Sequence, residues 1–378
     1  MASVPSNPGS TQAPPPRVLI YLPSWLGDTI MATPAMALVR HALPRSVIIA
    51  LGRPGMSDLL AGLEWIDDVV TADARSALGP AKTAARLRAM RLDAALLLPN
   101  SFSSALTVRL AGIDRRVGYD RDGRGAWLTH KLEPLKRKPP HKGYQPVSAV
   151  DYYLDAARAL LASLNVSVSR EHEPAPRLAL ATTRADESLA DDVLAKGGIK
   201  PDEPFALLNP GGNNPAKRWP VERFAALAHH LITRRKLKVA INGSPAEAEL
   251  VDLITQTIEL NHPEDGAMVA SLPRLGGTIG SLKAAVRRAT LMVTNDTGPR
   301  HMAAAFNIPT VALFGPTDPR WTTLPPSFTS SGSPREVVLV ADPTLPPDEV
   351  ADDHPARCAI DRIQLADVVR AADSVLGF

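Results

Sequence analysis

The chain reads as an α/β protein of two domains, each built on a parallel sheet covered by helices. Three observations predict this. The length of 378 residues suits two domains of ordinary size. Short apolar runs alternate with helical patterns, first from Arg17 and again from Phe205. Between the two series, residues 165–203 are polar and Pro-bearing, which marks a linker.

In the first series, strands are predicted at Val18–Leu22, Val47–Leu51, Asp68–Thr71, Ala94–Leu98 and Arg116–Tyr119. Helices are predicted at Asp28–Ala42 (stopped by Pro44), Ala81–Met90, Phe102–Ala111 and Val147–Leu164. In the second, strands fall at Phe205–Leu208, Lys238–Ile241, Leu291–Thr294, Thr310–Phe314 and Val337–Val340. Helices fall at Val221–Arg234, Ala246–Thr257, Ser281–Ala289, after Gly298, and at Gln364–Leu376. The expected divisions are a Pro/Ser-rich disordered tail (1–16), domains over 17–180 and 181–363, and a closing helix over 364–378. Two such domains joined once imply a cleft at the carboxyl ends of both sheets.

Composition narrows the function. The net charge of +3 is unevenly spread: residues 17–180 carry 22 Lys+Arg against 15 Asp+Glu. The excess concentrates in Arg115–Lys142, with nine Lys/Arg and three Asp/Glu, including Arg115, Arg116, Arg121 and Arg124. Such a run either meets an anionic partner or is a solvated basic loop. A single cysteine, Cys358, excludes a disulfide framework and a multi-cysteine metal site. No apolar run reaches membrane-spanning length and no signal-peptide pattern opens the chain, so a cytoplasmic location is expected. The nine His lack metal-site spacing, and Asp120-Arg121-Asp122 is a weak match in a basic loop, so no metal or cofactor is expected.

Thr294-Asn295-Asp296-Thr297-Gly298-Pro299-Arg300-His301 lies between a strand pattern and a helix pattern. Thr297 can cap that helix, Gly298 allows a tight turn, and Pro299 suits the first turn. Free amides and the positive dipole end make an anion site there, and Asp296 can grip sugar hydroxyls or serve as a cap. Ser24-Trp25-Leu26-Gly27-Asp28 joins the first strand to the first helix. Gly27 leaves room for a substrate, Trp25 stacks or packs, and Asp28 is either a general base or an N-cap. Asn209-Pro210-Gly211-Gly212-Asn213-Asn214-Pro215-Ala216-Lys217-Arg218-Trp219-Pro220 combines a Gly-rich turn with two cations, as a diphosphate requires, yet contains neither a Walker loop nor GxGxxG. Glu247 can bond a ribose or pair with a helix dipole. Thr278 and Gly280 belong to a stretch fit to wall an adenine or ribose.

Taken in order, the Gly27-Asp28 turn, the Gly-Gly…Lys217-Arg218-Trp219-Pro220 loop, Gly243-Ser244-Pro245-Ala246-Glu247, Asn295-Asp296-Thr297-Gly298…His301 and Val311-Ala312-Leu313-Phe314-Gly315-Pro316-Thr317 resemble the ADP-heptose:lipopolysaccharide heptosyltransferases of glycosyltransferase family nine, most closely the heptosyltransferase II type. The resemblance implies a GT-B fold, two Rossmann-like domains facing a central cleft. It implies an inverting, metal-independent transfer of heptose from ADP-L-glycero-β-D-manno-heptose to the inner core of lipopolysaccharide. Asp28 matches the family's base, Lys217 its diphosphate ligand and Asp296 its donor-sugar ligand. Thr297, Gly298 and His301 match the diphosphate-binding turn, and Glu247 a ribose ligand. Gly212, Asn213, Thr278 and Gly280 are then expected on the donor, and Ser24, Trp25, Gly27, Arg115, Arg116, Arg121 and Arg124 on the acceptor. The helix after Gly298 opens Pro299-Arg300 where Leu-Met or Leu-Ser is more usual. No nucleic-acid partner is expected, and contact with the inner-membrane surface stays open. Three alternatives also stay open: another nucleotide-sugar donor, a sugar-nucleotide epimerase, and a non-catalytic nucleotide-sugar-binding protein.

Overall fold

The computed structural model describes residues 14–73, 78–139, 141–328, 332 and 334–378. Most of the expected tail therefore lies outside the described residues. Strands β1 (Arg17–Tyr21), β2 (Val47–Gly52), β3 (Asp68–Thr71), β4 (Ala94–Leu97), β5 (Arg115–Tyr119) and β6 (His130–Leu132) form one six-stranded sheet in the order β3-β2-β1-β4-β5-β6. Strands β7 (Phe205–Asn209), β8 (Lys238–Ile241), β9 (Val269–Ser271), β10 (Leu291–Asn295), β11 (Thr310–Phe314) and β12 (Glu336–Val340) form a second, ordered β12-β11-β10-β7-β8-β9. Every pairing in both sheets is parallel. Counted from its own first strand, each sheet has the same order. The order reverses between β1 and β4 and between β7 and β10, and the crevice beyond the carboxyl ends there is where such sheets bind ligands. Strands β7, β10 and β11 are buried along their whole length, so their sequences show no polar alternation.

The expected first helix is two. Helix α1 (Leu26–Met31) ends at Ala32, and α2 (Thr33–Ala42) begins there with Pro34 in its first turn. Proline lacks the N–H and its ring blocks the preceding turn, so a continuous helix is barred. Helices α3 (Met56–Leu60), α4 (Gly79–Ala89), α5 (Phe102–Leu110) and α6 (Ala149–Ser163) complete the first half; α2 packs on α6 and α4 on α5.

The expected linker contains a helix, α7 (Arg184–Lys196), which is a correction. Thr183 accepts from the amide of Asp186 at 3.2 Å while Asp186 accepts from that of Thr183 at 2.8 Å, a capping box that starts the helix. The second half continues with α8 (Val221–Arg235), α9 (Ala248–Asn261), α10 (Ile279–Arg288), α11 (Gly298–Ala305) and α12 (Leu365–Leu376). Helix α7 packs on α10, so it belongs to the second domain. Helix α12 packs on α8, β11 and β12 and closes that same domain.

The two halves touch through α1 against α11, and one apolar cluster runs from Ala32, Met36 and Leu154 to Leu207, Ala285 and Met302. Lys283 of α10 has no exposed surface. It donates to the carbonyls of Ala61 (3.2 Å) and Ala181 (2.9 Å) and lies 3.3 Å from Asp186. No helix among the described residues is long and apolar enough to cross a membrane.

Candidate active site

A cavity of about 790 Å³ opens between the halves, at the carboxyl ends of β1, β7 and β10. That volume suits a nucleotide-sized ligand. Trp25, Gly27, Asp28 and Met31 line it from the first domain. Gly212, Asn213, Lys217, Glu247, Thr278, Asp296, Thr297, Gly298 and His301 line it from the second.

Asp28 is the third residue of α1, whose cap position is Trp25, so the reading of Asp28 as an N-cap does not hold. Burial, and secondarily the charge of Asp296, push its carboxyl up to about 6, while Lys217 pulls it down. Such a carboxylate is ionised at neutral pH yet basic enough to take a proton. Gly27 is the residue that lets α1 and α11 meet. A Cβ there would lie 2.6 Å from Cδ2 of His301 and 3.3 Å from Cα of Gly298.

Asp296 follows β10, its side chain only 9% exposed. It accepts from Nζ of Lys217 at 3.0 Å, Oγ1 of Thr317 at 3.1 Å and Oγ1 of Thr322 at 3.5 Å. Burial would raise its carboxyl, but Lys217 and then Arg300 outweigh this and hold it below the usual range. The two cleft carboxylates are thus driven apart: Asp28 basic, Asp296 firmly anionic. His301 is pushed down to about 3, chiefly by burial and then by Arg300, so its imidazole is neutral; its buried Nδ1 has no hydrogen-bond partner among the described residues.

Thr297 occupies the N-cap of α11, but its hydroxyl does not cap the helix. It accepts instead from Nδ2 of Asn209 at 2.8 Å and donates to the carbonyl of Asn295 at 3.2 Å. Pro299 has no amide hydrogen and the Arg300 amide donates to the Thr297 carbonyl at 3.2 Å, so at the head of α11 it is the Gly298 amide that stands open to an anion.

The Gly-rich loop is held by its neighbours. Asn295 donates to the carbonyls of Pro210 (2.7 Å) and Gly211 (3.1 Å), and Arg218 grips the carbonyl of Gly212 at 2.8 and 3.0 Å. Glu247 accepts from the Gly212 amide at 2.7 Å and from both N and Oγ of Ser244 at 2.8 Å, while lining the cavity. Asn214 accepts from the Ala216 amide, setting the short turn that aims Lys217 into the cleft.

Several expected residues are not brought to the cavity. Ser24 and Gly280 do not line it; a Cβ on Gly280 would sit 1.9 Å from Oδ1 of Asp186, so this glycine serves the α7–α10 contact. Arg124 has no exposed surface and spends its guanidinium on the carbonyls of Tyr119 and Pro99 and on Ser104 and Asn100. Arg116 is tied to the carbonyls of Trp127, Ile113 and Asp114, and Arg115 to that of Ser163. Arg121 lies over the Tyr144 ring at 3.9 Å. Of the run's nine basic residues, Arg116, Arg121, Arg124 and Arg137 are buried or half-buried against internal partners, while Arg115, Lys131, Lys136, Lys138 and Lys142 are exposed.

Residues outside the expected set also serve the site. Asn209 receives Nδ2 of Asn242 at 2.6 Å and positions Thr297. Their signal was asparagine at the carboxyl end of three strands, β7, β8 and β10, as Asn209, Asn242 and Asn295. Thr317 reaches Asp296 from the turn after β11, which the sequence marks by Phe314-Gly315-Pro316-Thr317, whereas Thr322 and Arg300 reach it with no such signal. Among the described residues, His229, His262 and Glu264 place potential metal-donor atoms within 4.8 Å of one another, but none lines the cavity and the imidazoles stack face to face at 3.5 Å.

The model of Glycosyltransferase family 9 (heptosyltransferase) matches residues 81–336. Lipopolysaccharide heptosyltransferase 2 of Escherichia coli strain K12 is 27% identical over 313 residues, covering 81% of this chain and 84% of that protein. Lipooligosaccharide heptosyltransferase 2 of Haemophilus influenzae is also 27% identical over 313 residues, with 81% and 85% covered. The structure of E. coli ADP-heptose lps heptosyltransferase II superposes with a TM-score of 0.72 at 24% identity, covering 95% of this chain and 98% of that one. A family 9 glycosyltransferase from Veillonella parvula gives 0.73 at 21%, covering 96% and 97%. The fold is accordingly GT-B. The chain belongs to glycosyltransferase family 9, the heptosyltransferases.

Proposed function

We propose that this glycosyltransferase moves a heptose from ADP-L-glycero-β-D-manno-heptose to the inner core of lipopolysaccharide, inverting the anomeric centre. The observation that carries the reading is the meeting, in one cleft, of a basic carboxylate from the first domain with a cation and the head of a helix from the second. The names of the heptosyltransferase 2 relatives support the donor and the acceptor.

In this reading Asp28 takes the proton of an acceptor hydroxyl as that oxygen attacks the anomeric carbon. ADP departs from the opposite face. Lys217 and the amides of Thr297 and Gly298 meet the charge that grows on the diphosphate. Asp296 holds sugar hydroxyls, Glu247 the ribose, and Gly212, Asn213 and Thr278 line the nucleotide's path. Trp25, 60% exposed at the rim, faces the acceptor. The exposed lysines of 131–142 attract its anionic groups. Contact with a membrane surface at the cytoplasmic face would bring the enzyme to a lipid-linked acceptor.

The test is ADP release from ADP-heptose in the presence and absence of a core-lipid acceptor. Acceptor-dependent release is expected. Donor binding without release would make the chain a binding protein, and release from a different nucleotide sugar would reassign the donor.

A further inference from the structure

Lys217 has two demands on it. It holds Asp296 at 3.0 Å, and it is the cation of the Gly-rich loop that lines the cavity where a diphosphate would sit. If it turns to the diphosphate, Asp296 loses its nearest cation while almost fully buried, and a bare buried carboxylate is heavily penalised.

A second cation stands behind Asp296. Arg300 is 1% exposed and does not line the cavity. Its Nη1 lies 3.9 Å from Oδ1 of Asp296, the oxygen opposite the one held by Lys217. The same nitrogen donates to the carbonyl and hydroxyl of Thr322, both at 3.0 Å, and that hydroxyl in turn reaches Oδ1 of Asp296 at 3.5 Å. Nε and Nη2 grip Glu336 at 2.7 and 3.0 Å. The four charges balance: two cations, two carboxylates. Of the two cations only Lys217 lines the cavity, so only Lys217 can leave the set for an anionic ligand. Arg300 lacks roughly 1 Å of a charge-assisted hydrogen-bond distance to Asp296.

We infer that Arg300 is a positioning residue that takes over Asp296 when a nucleoside diphosphate draws Lys217 away, so that donor binding exchanges one ion pair for another within the cleft. Arg300 touches no ligand; it sets how freely Lys217 can. The inference rests on the donor-binding reading above.

Calorimetric titration of the full chain with ADP tests it, using wild type, Arg300→Met, Asp296→Asn and the double variant. Wild type binds ADP; failure there would sink the donor reading itself. Arg300→Met is expected to weaken ADP roughly 10-fold, because Lys217 is then held by Asp296 alone. In the Asp296→Asn background, where nothing holds Lys217, the same change is expected to cost less than about 3-fold. An equal loss in both backgrounds, or none in either, overturns the exchange and leaves Arg300 a packing residue. Should Arg300→Met not fold, Glu336→Gln and Arg300→Lys decide. The first frees Arg300 for Asp296, and the second keeps the cation. Both are expected within about 3-fold of wild type, and a loss of roughly 10-fold in either overturns the proposal.

Discussion

Gly27 lies so close to His301 that a methyl group on its α-carbon would stand 2.6 Å from the imidazole Cδ2. His301 is 3% exposed, and the backbone of α11 stands beside it, with Cα of Gly298 at 3.3 Å from the same position. The contact joins α1 to α11, the helix carrying Asp28, the proposed base, to the helix whose head is the proposed anion site. Gly27→Ala should therefore push them apart by a few tenths of an ångström. Because misplacement of reacting groups is costly, kcat/KM is expected to fall by about 10–100-fold. Steady-state kinetics beside a thermal melt check this; unaltered turnover would show that the contact is not needed for alignment.

Asp28→Asn should lower kcat by ~10²–10⁴, the range for a positioned base. In the wild type, kcat/KM should fall on the acid side with a midpoint near the carboxyl value of about 6. His301, neutral down to about 3, adds no limb of its own in that range. A pH–rate profile flat from pH 5 to 8 would remove Asp28 from the role.

The same residue carries a stability signature. Its folded-state value is raised, so its contribution favours folding only while it is protonated. That contribution is complete below the unfolded value of 3.8 and is lost as pH rises through about 6. At pH 7–8 the ionised carboxylate is a burden, and Asp28→Asn should stabilise the chain by on the order of 2–3 kcal/mol. Denaturant titration at pH 7.5 and pH 4 separates the cases: the gain should be present at the first and largely absent at the second.

Lys217→Ala should lose on the order of 1.5–3 kcal/mol in kcat/KM for the donor, as for a charged hydrogen bond. The loss should appear with ADP alone as well, since the proposed partner of Lys217 is the diphosphate. A variant that binds ADP normally would move the cation's role elsewhere.

The basic run separates into two classes with opposite phenotypes. Arg124→Ala strips four internal partners from a fully buried guanidinium and should destabilise by about 3–5 kcal/mol. Charge reversal at exposed Lys136 and Lys138 should leave the melt unchanged. It should weaken acceptor binding at low salt, and the difference should shrink as salt screens it. Equal acceptor KM at every ionic strength would make the run a solvated loop.

Much of this was legible in the sequence. Strands such as Thr310–Phe314 and Lys238–Ile241 were predicted to the residue, because a buried parallel strand is an unbroken apolar run between turns. The cleft residues were legible because each follows a strand and precedes a helix. Helix α7 was not, since its exposed face is acidic and its apolar face is short; the Thr183–Asp186 capping box was its one signal. Arg124 was misread because charge counting cannot distinguish a guanidinium in water from one spent on carbonyls. Arg300, only four residues after Asp296, carried no sign that its guanidinium turns inward, and Thr322 was invisible because only the fold closes its turn against Asp296.

Lys283 bears on how freely the two halves can part. Its ammonium is sealed between a carbonyl of the first domain, a carbonyl at the junction and Asp186 of the second. Parting the halves at that corner would break its bond to the Ala61 carbonyl and let water in among its partners. The α1–α11 contact, Ser148 donating to the Thr323 carbonyl and Arg137 pairing with Asp353 hold the halves at other points, so the sealed ammonium is one rivet among several.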